Sequence, residues 1–450
     1  MTIAVAKRMG MQVLVLGTLL TAVQQAYAVP AFARKYGLAC SACHEAWPKL
    51  GNFGQVFRDN GYQLGNDRDT PIYQEPSYFP LTFRMTPWWH RETNNRTAVD
   101  IVPGDPSSGM VESRVTRSGF DMTGIDIWAA GTLYKNISFA VQPFLDNTGR
   151  FHLETMYVRF DNLLSSSWLN FKFGKFELDT LLSEKRLYTM DSIGGFYHSY
   201  HFTPRGDNNS FGGLADNQLG IELMGHSKNS YTRYSVSLLS SNDGRVGLPT
   251  NRTYDTYADF TQGFEIPRLG LQRIGVYGYF GRAPTFFQTS NGVPIPGTGS
   301  GNRSFYRAGA YGLWYLGKFD LSTFYLHGQD NVFLGNSVRA DQPFNLPVGA
   351  RGPAWDAGFV EVHYTYNPQL VLVGRYETIR MARQANPSKR SDFGNQELWT
   401  VGYRWYPFMN SRAGLAWLQE YSRSRSVGTA PLSGLDDISG SYLMGFDFAF

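Results

Sequence analysis

Tyr442-Leu443-Met444-Gly445-Phe446-Asp447-Phe448-Ala449-Phe450 ends the chain, and its alternation decides the fold. In an extended strand Tyr442, Met444, Phe446, Phe448 and Phe450 share one face, while Leu443, Gly445, Asp447 and Ala449 share the other. A row of aromatics turned to water on a sheet edge invites aggregation. Turned to hydrocarbon, the same row is the outer face of a transmembrane barrel.

Working back from the C-terminus, apolar and polar residues alternate in runs of about ten residues as far as Pro80, the weak per-strand signal of a membrane barrel. Tight links fall near Tyr134–Asn136, Asn162–Ser167, Ser227–Ser230, Pro267–Leu269, Leu316–Lys318, Asn367–Pro368 and Tyr406–Ser411. Between them lie polar or Gly/Pro-rich stretches at 93–118, 146–150, 180–215, 241–252, 284–302, 329–352, 383–395 and 422–437. These connections predict an all-β, antiparallel transmembrane barrel of about sixteen strands over residues 78–450. Its short turns would be periplasmic and its long loops external. No blade-length repeat supports a propeller.

Composition agrees. Aromatics are 15% of the chain, glycines number 48, and charged residues are only 17%, unlike a helical bundle or a disordered chain. No long apolar run follows residue 23, which excludes a polytopic helical membrane protein. The net charge of +4 is too small and scattered for a nucleic-acid partner.

Residues 1–28 read as an export signal. Lys7 and Arg8 are its basic start, Met9–Val23 its apolar stretch, and Ala26-Tyr27-Ala28 a small-x-small cleavage site. The chain's two cysteines follow, at Cys40-Ser41-Ala42-Cys43-His44. C-x-x-C-H is the attachment signature of a c-type haem. Two thiols at this spacing can each add to a haem vinyl group, and the adjacent imidazole then sits under the iron as proximal ligand. A thiol–disulfide site would call for a βαβ context, which is absent, and a zinc site for a second cysteine pair. Leu50, Phe53 and Phe57 fall at i, i+3 and i+7, predicting a short amphipathic helix with Pro48 in its first turn and Gly61 at its stop. Residues 29–77 are too few to bury these rings and a porphyrin alone. One covalent haem is therefore expected as the core of this segment, sheltered in or against the barrel mouth.

Pro30-Ala31-Phe32-Ala33-Arg34-Lys35-Tyr36-Gly37 leads into the cysteine motif. Pro48-x-Leu50-x-x-Phe53-Gly54-x-x-Phe57 and Asn60-Gly61-Tyr62 follow it. Across roughly residues 30–90 the chain resembles the fused monohaem cytochrome–porins of the bacterial outer membrane, best known from iron-oxidising bacteria. Gly51 departs from that pattern, which has Asn after the Leu. The resemblance implies single-electron transfer across the outer membrane, as in an iron:cytochrome oxidoreductase. Its partners would be an extracellular donor or acceptor, ferrous iron in the best-known members, and a periplasmic cytochrome c-like carrier. Lipid would surround the barrel. A haem-plugged porin passing small solutes is the competing reading from another class.

Strict alternation turns Glu222, Met224, His226, Glu361 and His363 into the lumen, with Lys172, Arg233, Arg404 and Arg412. Met85, His90, Met224, His226 and His363 have the chemistry of a sixth haem ligand, and none is singled out by the sequence. No hydrolase elbow or zinc-protease motif accompanies the cysteines.

Overall fold

The strand Asp437–Ala449 alternates as its sequence predicts. Leu443 is fully buried and Asp447 nearly so, while Phe446 is 41% exposed. The computed structural model describes residues 30–64, 81–188, 197–202, 204, 213–215, 217–240, 254–284, 289–290, 293–294, 302–330, 351–409 and 413–450. Sixteen antiparallel strands form a closed barrel in it, each paired with the next in sequence. The seam joins the last strand to the first, Thr82–Val102, with Met444 opposite Trp89 and Phe448 opposite Met85. The backbone N–H groups of Phe83 and Phe450 each donate to the other's carbonyl at 2.9 Å.

Val236, Val276, Val360, Leu372, Val401 and Phe446, from strands around the wall, all stand exposed on the outside. A closed barrel with an apolar outer band satisfies every backbone group internally and presents hydrocarbon to hydrocarbon. The protein is an outer-membrane barrel in contact with lipid.

Six of the seven tight links hold. Where the reading gave a long loop at 93–118, however, the strands Thr82–Val102 and Asp105–Tyr134 run on to a turn at residues 103–104. Their upper halves bury neither face and carry no regular alternation, so nothing in the sequence separates them from a loop. Glu112 anchors this hairpin by accepting from the backbone N–H groups of Leu432 and Ser433, at 2.8 and 2.7 Å. For the same reason the strand Gly414–Ser426 takes in Ser422–Ser426, and the loop after it spans only 427–436. The strand Gln396–Met409 likewise carries Tyr406–Met409, read as part of a link. The leader, the linker at 65–80, Arg412 and the stretch 241–252 lie outside the described residues, as does most of 329–352.

Inside the barrel, at the end with the short turns, lie the helices Pro30–Tyr36, Cys40–Cys43 and Asn52–Asp59. A small hairpin pairs His44–Ala46 with Lys49–Leu50. This N-terminal plug reaches many wall strands. Arg34 donates to the Leu81 carbonyl at 2.7 Å, Tyr62 shares a 2.7 Å hydrogen bond with Tyr157, and the Trp47 indole donates to Asp447 at 3.1 Å. Lys49 bonds to Asp320 and Arg273 to Asn52. Phe32 stacks on Tyr62 at 5.4 Å and meets Phe57 edge-on at 4.9 Å. Pro48 sits in the turn of the small hairpin, correcting its placement in the helix. The helix starts at Asn52 behind Gly51, and Phe53 is 44% exposed. Gly61 does follow the helix end, with φ +80°.

The stretch read as an external loop at 180–215 is a further correction. Its described residues fold into the lumen, burying Leu182, Leu187, Tyr188, Tyr197 and Tyr200. Their apolar composition is the signal that marks an inward segment.

Candidate functional site

Gly54 brings the cysteine motif and the helix Asn52–Asp59 together. A Cβ at this position would lie 2.1 Å from the Cys43 carbonyl oxygen, so only glycine admits the approach. The C-x-x-C-H turn is thereby pressed onto the helix, with Cys40 and Cys43 at the two ends of a single helical turn.

Cys43 and His44 line a cavity of about 590 Å³ between plug and barrel wall. Its volume falls within the roughly 300–1,000 Å³ typical of cofactor pockets. Phe57, Tyr62, Tyr157, Lys172, Arg404 and Glu177 contribute to its lining, so rings and charges of both signs share it. His44 is buried, and its Nδ1 donates to the Pro48 carbonyl at 3.1 Å. That bond and a second one to the Lys49 backbone orient the ring, as backbone carbonyls do for metal-binding histidines. Burial pushes the imidazole down to about 4, keeping it neutral and able to ligate, and pushes the Cys43 thiol up to about 11. Cys40 packs against Ala33 and Met409. It lines a narrow cleft that shares Trp47 with the main cavity.

The residues present fit a covalently held haem. The donor set combines two thiols a turn apart with an oriented, neutral imidazole. The cavity beside them is of cofactor size, and its lining carries charges of both signs, among them Arg404 and Lys172, which are paired with Asp447 and Glu222.

The proposed sixth ligands disperse. Met85 lies opposite the lipid-facing Phe448 and shares that outward face. His90 bonds to Ser441 at 2.9 Å. His226 turns Nδ1 to the Ser227 carbonyl at 3.0 Å. Both nitrogens of His363 are taken by carboxylates. None of these, nor buried Met224, lines the cavity with His44. The inward orientations hold for Glu222, Met224, His226, Glu361, His363, Lys172, Arg233 and Arg404, all buried.

Sequence reasoning turned Arg233 and Arg404 into the lumen but missed the carboxylates through which they lock the plug. Arg233 bonds Asp59 of the plug through Nε at 2.8 Å and Nη2 at 3.0 Å, and Asp179 of the inward segment at 2.8 Å. Arg58 pairs with the same Asp179 at 3.2 Å. Asp447 receives Arg84 at 2.9 Å and Arg404 at 3.1 Å beside Trp47. Wall charges facing plug charges could be paired only once the lumen was known to be filled.

No protein-family model and no curated protein sequence matches the chain. Solved structures do. The chain is similar to an anion-selective porin from Comamonas acidovorans, with a TM-score of 0.50 at 11% identity, over 82% of this chain and 99% of that one. It is also similar to a loop-deletion mutant of OmpT, an outer membrane protein of Vibrio cholerae, with a TM-score of 0.47 at 12% identity, over 83% and 100%. At such identity the likeness is one of fold. The molecule is a porin-like outer-membrane barrel of sixteen strands, its lumen occupied by an N-terminal plug.

Proposed function

We propose that this barrel carries one c-type haem, attached through Cys40 and Cys43 with His44 as proximal ligand. It passes single electrons between an extracellular donor or acceptor and a periplasmic carrier. The observation that carries the reading is the meeting of Cys43 and His44 at one cofactor-sized cavity, with the His44 ring oriented by the Pro48 carbonyl. Bound there, a haem would supply reversible one-electron chemistry. The chain's own contribution is to orient the ligand, exclude water with Phe57, Tyr62 and Tyr157, and hold the group inside the barrel. Tunnelling falls steeply with distance across a hydrocarbon layer ~30 Å thick. A redox group inside the lumen is closer to the outer face than one left in the periplasm.

The test combines extraction with spectroscopy. Acid-acetone should leave a haem on the wild-type chain and none on the Cys40→Ala/Cys43→Ala double variant. Haem still covalently bound to that variant would overturn the attachment. Reduction in intact cells by a membrane-impermeant donor tests the electron path.

A second reading keeps the plug and drops the electrons: a porin that passes small solutes around it. The porin-like fold favours it, and solute flux through liposomes loaded with the purified protein would decide for it.

A further inference from the structure

Where Asp437–Ala449 closes the wall, its outer face carries a notch. Cross-strand register sets Arg423 opposite Gly440, and Gly440 opposite Thr93 of the first strand. Two residues along, Tyr421 stands opposite Tyr442, and Tyr442 opposite Arg91. Side chains on one face of a strand repeat every second residue. Arg423, Tyr421, Tyr442 and Arg91 therefore share the outer face with exposed Phe446. Gly440 places no side chain between the two arginines, and nothing in the wall demands a glycine there. A Cβ would meet only the Ser422 carbonyl oxygen, in ordinary contact at 3.9 Å. By strand spacing the Arg91 and Arg423 Cα atoms lie about 12 Å apart. Two extended guanidinium arms can meet across that gap.

The pairing of charges singles these residues out. Around them Arg96 binds Glu112 at 3.1 Å, Arg117 binds Glu92, Arg380 binds Glu397, and Arg425 binds Asp436 at 2.6 Å. The carboxylates of this region are thereby taken. Arg91 and Arg423 are exposed and have no ion-pair or hydrogen-bond partner among the described residues. The same holds for Arg114, two residues beyond Thr116, which stands opposite Thr93 on this face. Depth completes the picture. Trp399 lies opposite Arg423 and packs 4.3 Å from the Tyr376 ring, and Trp89 meets Tyr442 edge-on at 6.1 Å. Such aromatic girdles mark the membrane–water interface. Gly440 is near the outer end of its strand, so this is the interface on the long-loop side. Two unpaired cations thus stand at headgroup level, and the notch between them opens sideways into the bilayer.

We infer that Arg91 and Arg423 clasp, across Gly440, a phosphate of the acylated saccharide lipid of the outer leaflet, lipopolysaccharide. A guanidinium fork matches phosphate oxygens in geometry as well as charge. Tyr421 and Tyr442 lie beside the clasp, where the lipid passes from saccharide to acyl chain, and Arg114 adds charge on the water side. A lipid is the occupant because the notch faces the side of the wall, where a soluble acidic protein cannot approach. The bound lipid would tie Gly414–Ser426 to Thr82–Val102 over the strand that closes the barrel. It would hold from outside the seam that Asp447, bound to Arg84 and Arg404, holds from inside. The inference rests on the barrel and its membrane, and stands with or without a haem.

The experiment uses the full-length protein, exchanged into detergent until free of native lipid. It is titrated with lipopolysaccharide micelles, with the same lipid after enzymatic dephosphorylation, and with inorganic phosphate. Native mass spectrometry reads the lipid bound per chain, and the temperature at which heat-modifiable migration is lost reads the seam. The wild type should hold lipopolysaccharide and lose the barrel at a higher temperature with it, as a ligand of the folded state requires. Binding should weaken as salt rises, because exposed charges are screened. Dephosphorylated lipid and inorganic phosphate should each bind roughly tenfold more weakly or less than that. Arg91→Gln/Arg423→Gln removes the charges, Gly440→Leu fills the notch, and each should cost a similar factor. The double variant changes only exposed side chains, so its barrel should assemble, which its migration checks. Arg268→Gln removes an exposed arginine at the opposite mouth and should bind as the wild type does. Undiminished affinity in the double variant would overturn the inference. An equal loss in Arg268→Gln would show net charge instead of a site, and wild-type affinity for inorganic phosphate would remove the lipid; either would overturn it too.

Discussion

The helix at Gly54 and the carbonyl of Cys43 approach so closely that a single methyl group could not stand between them, a Cβ there falling 2.1 Å from the oxygen. This contact sets the angle at which the C-x-x-C-H turn enters the cavity. On the proposed haem attachment, Gly54→Ala should therefore lower haem incorporation several-fold. The overpacking cost is about 1–3 kcal/mol, borne by the plug and not by the barrel. The measurement is the ratio of covalent haem absorbance to protein in the assembled fraction. A ratio equal to wild type would show that the turn is positioned by other contacts.

Arg233 holds two carboxylates from two different segments, Asp59 and Asp179. Removing one partner of a buried ion pair leaves the other uncompensated, at about 3–5 kcal/mol. Arg233→Ala should loosen plug and inward segment together, seen as protease cleavage within residues 30–64 while the barrel stays heat-modifiable. Arg233→Lys keeps the charge but not the fork, and should fall between the two. Full protection of the Arg233→Ala plug would show that the remaining ties suffice.

The same pair predicts how the plug responds to acid. Burial alone would raise the Asp59 and Asp179 carboxyls, but the Arg233 charge overrides it and holds both below the usual carboxylate range. A depressed folded-state pKa stabilises above the unfolded value, about 4, and that contribution is lost as pH falls through the folded value. The plug should stay protease-resistant at pH 4 and open only in stronger acid. Opening between pH 5 and 6 would contradict this, since both carboxylates are ionised there.

At the seam, Phe450 stacks on Phe83 at 5.4 Å and exchanges backbone hydrogen bonds with it. A charge there would face lipid and weaken the closing contact. Phe450→Asp should leave most of the protein unassembled in the periplasm, measured as loss of the heat-modifiable form in outer-membrane fractions. Wild-type yield of that form would count against the role given to the terminal strand.

Periodicity made the wall legible. Leu443 and Phe446 need only alternation to be placed, and the sixteen strands follow from turn chemistry at Pro267–Leu269 or Asn367–Pro368. The C-x-x-C-H motif was legible too, because its chemistry depends on spacing within five residues. The extended hairpin around Pro103 was not: in water a strand has no buried face, so Val99–Met110 carries no alternation. Tyr188 and Tyr197 belong to a stretch without period, and only its apolar content separates it from a solvated loop. Arg233 with Asp59, or Lys49 with Asp320, join residues more than 170 positions apart, and no local pattern encodes such partners.

The pairing of the first strand with the last also imposes an order in time. The plug precedes Thr82–Val102 in the chain, whereas the strand that completes the wall, Asp437–Ala449, comes after the other fifteen. Until it arrives the wall has a gap beside the plug, and Trp47 and Arg84 lack the Asp447 they bind. Seating of the plug and closure of the wall are thus tied together, because one carboxylate on the closing strand, Asp447, serves both.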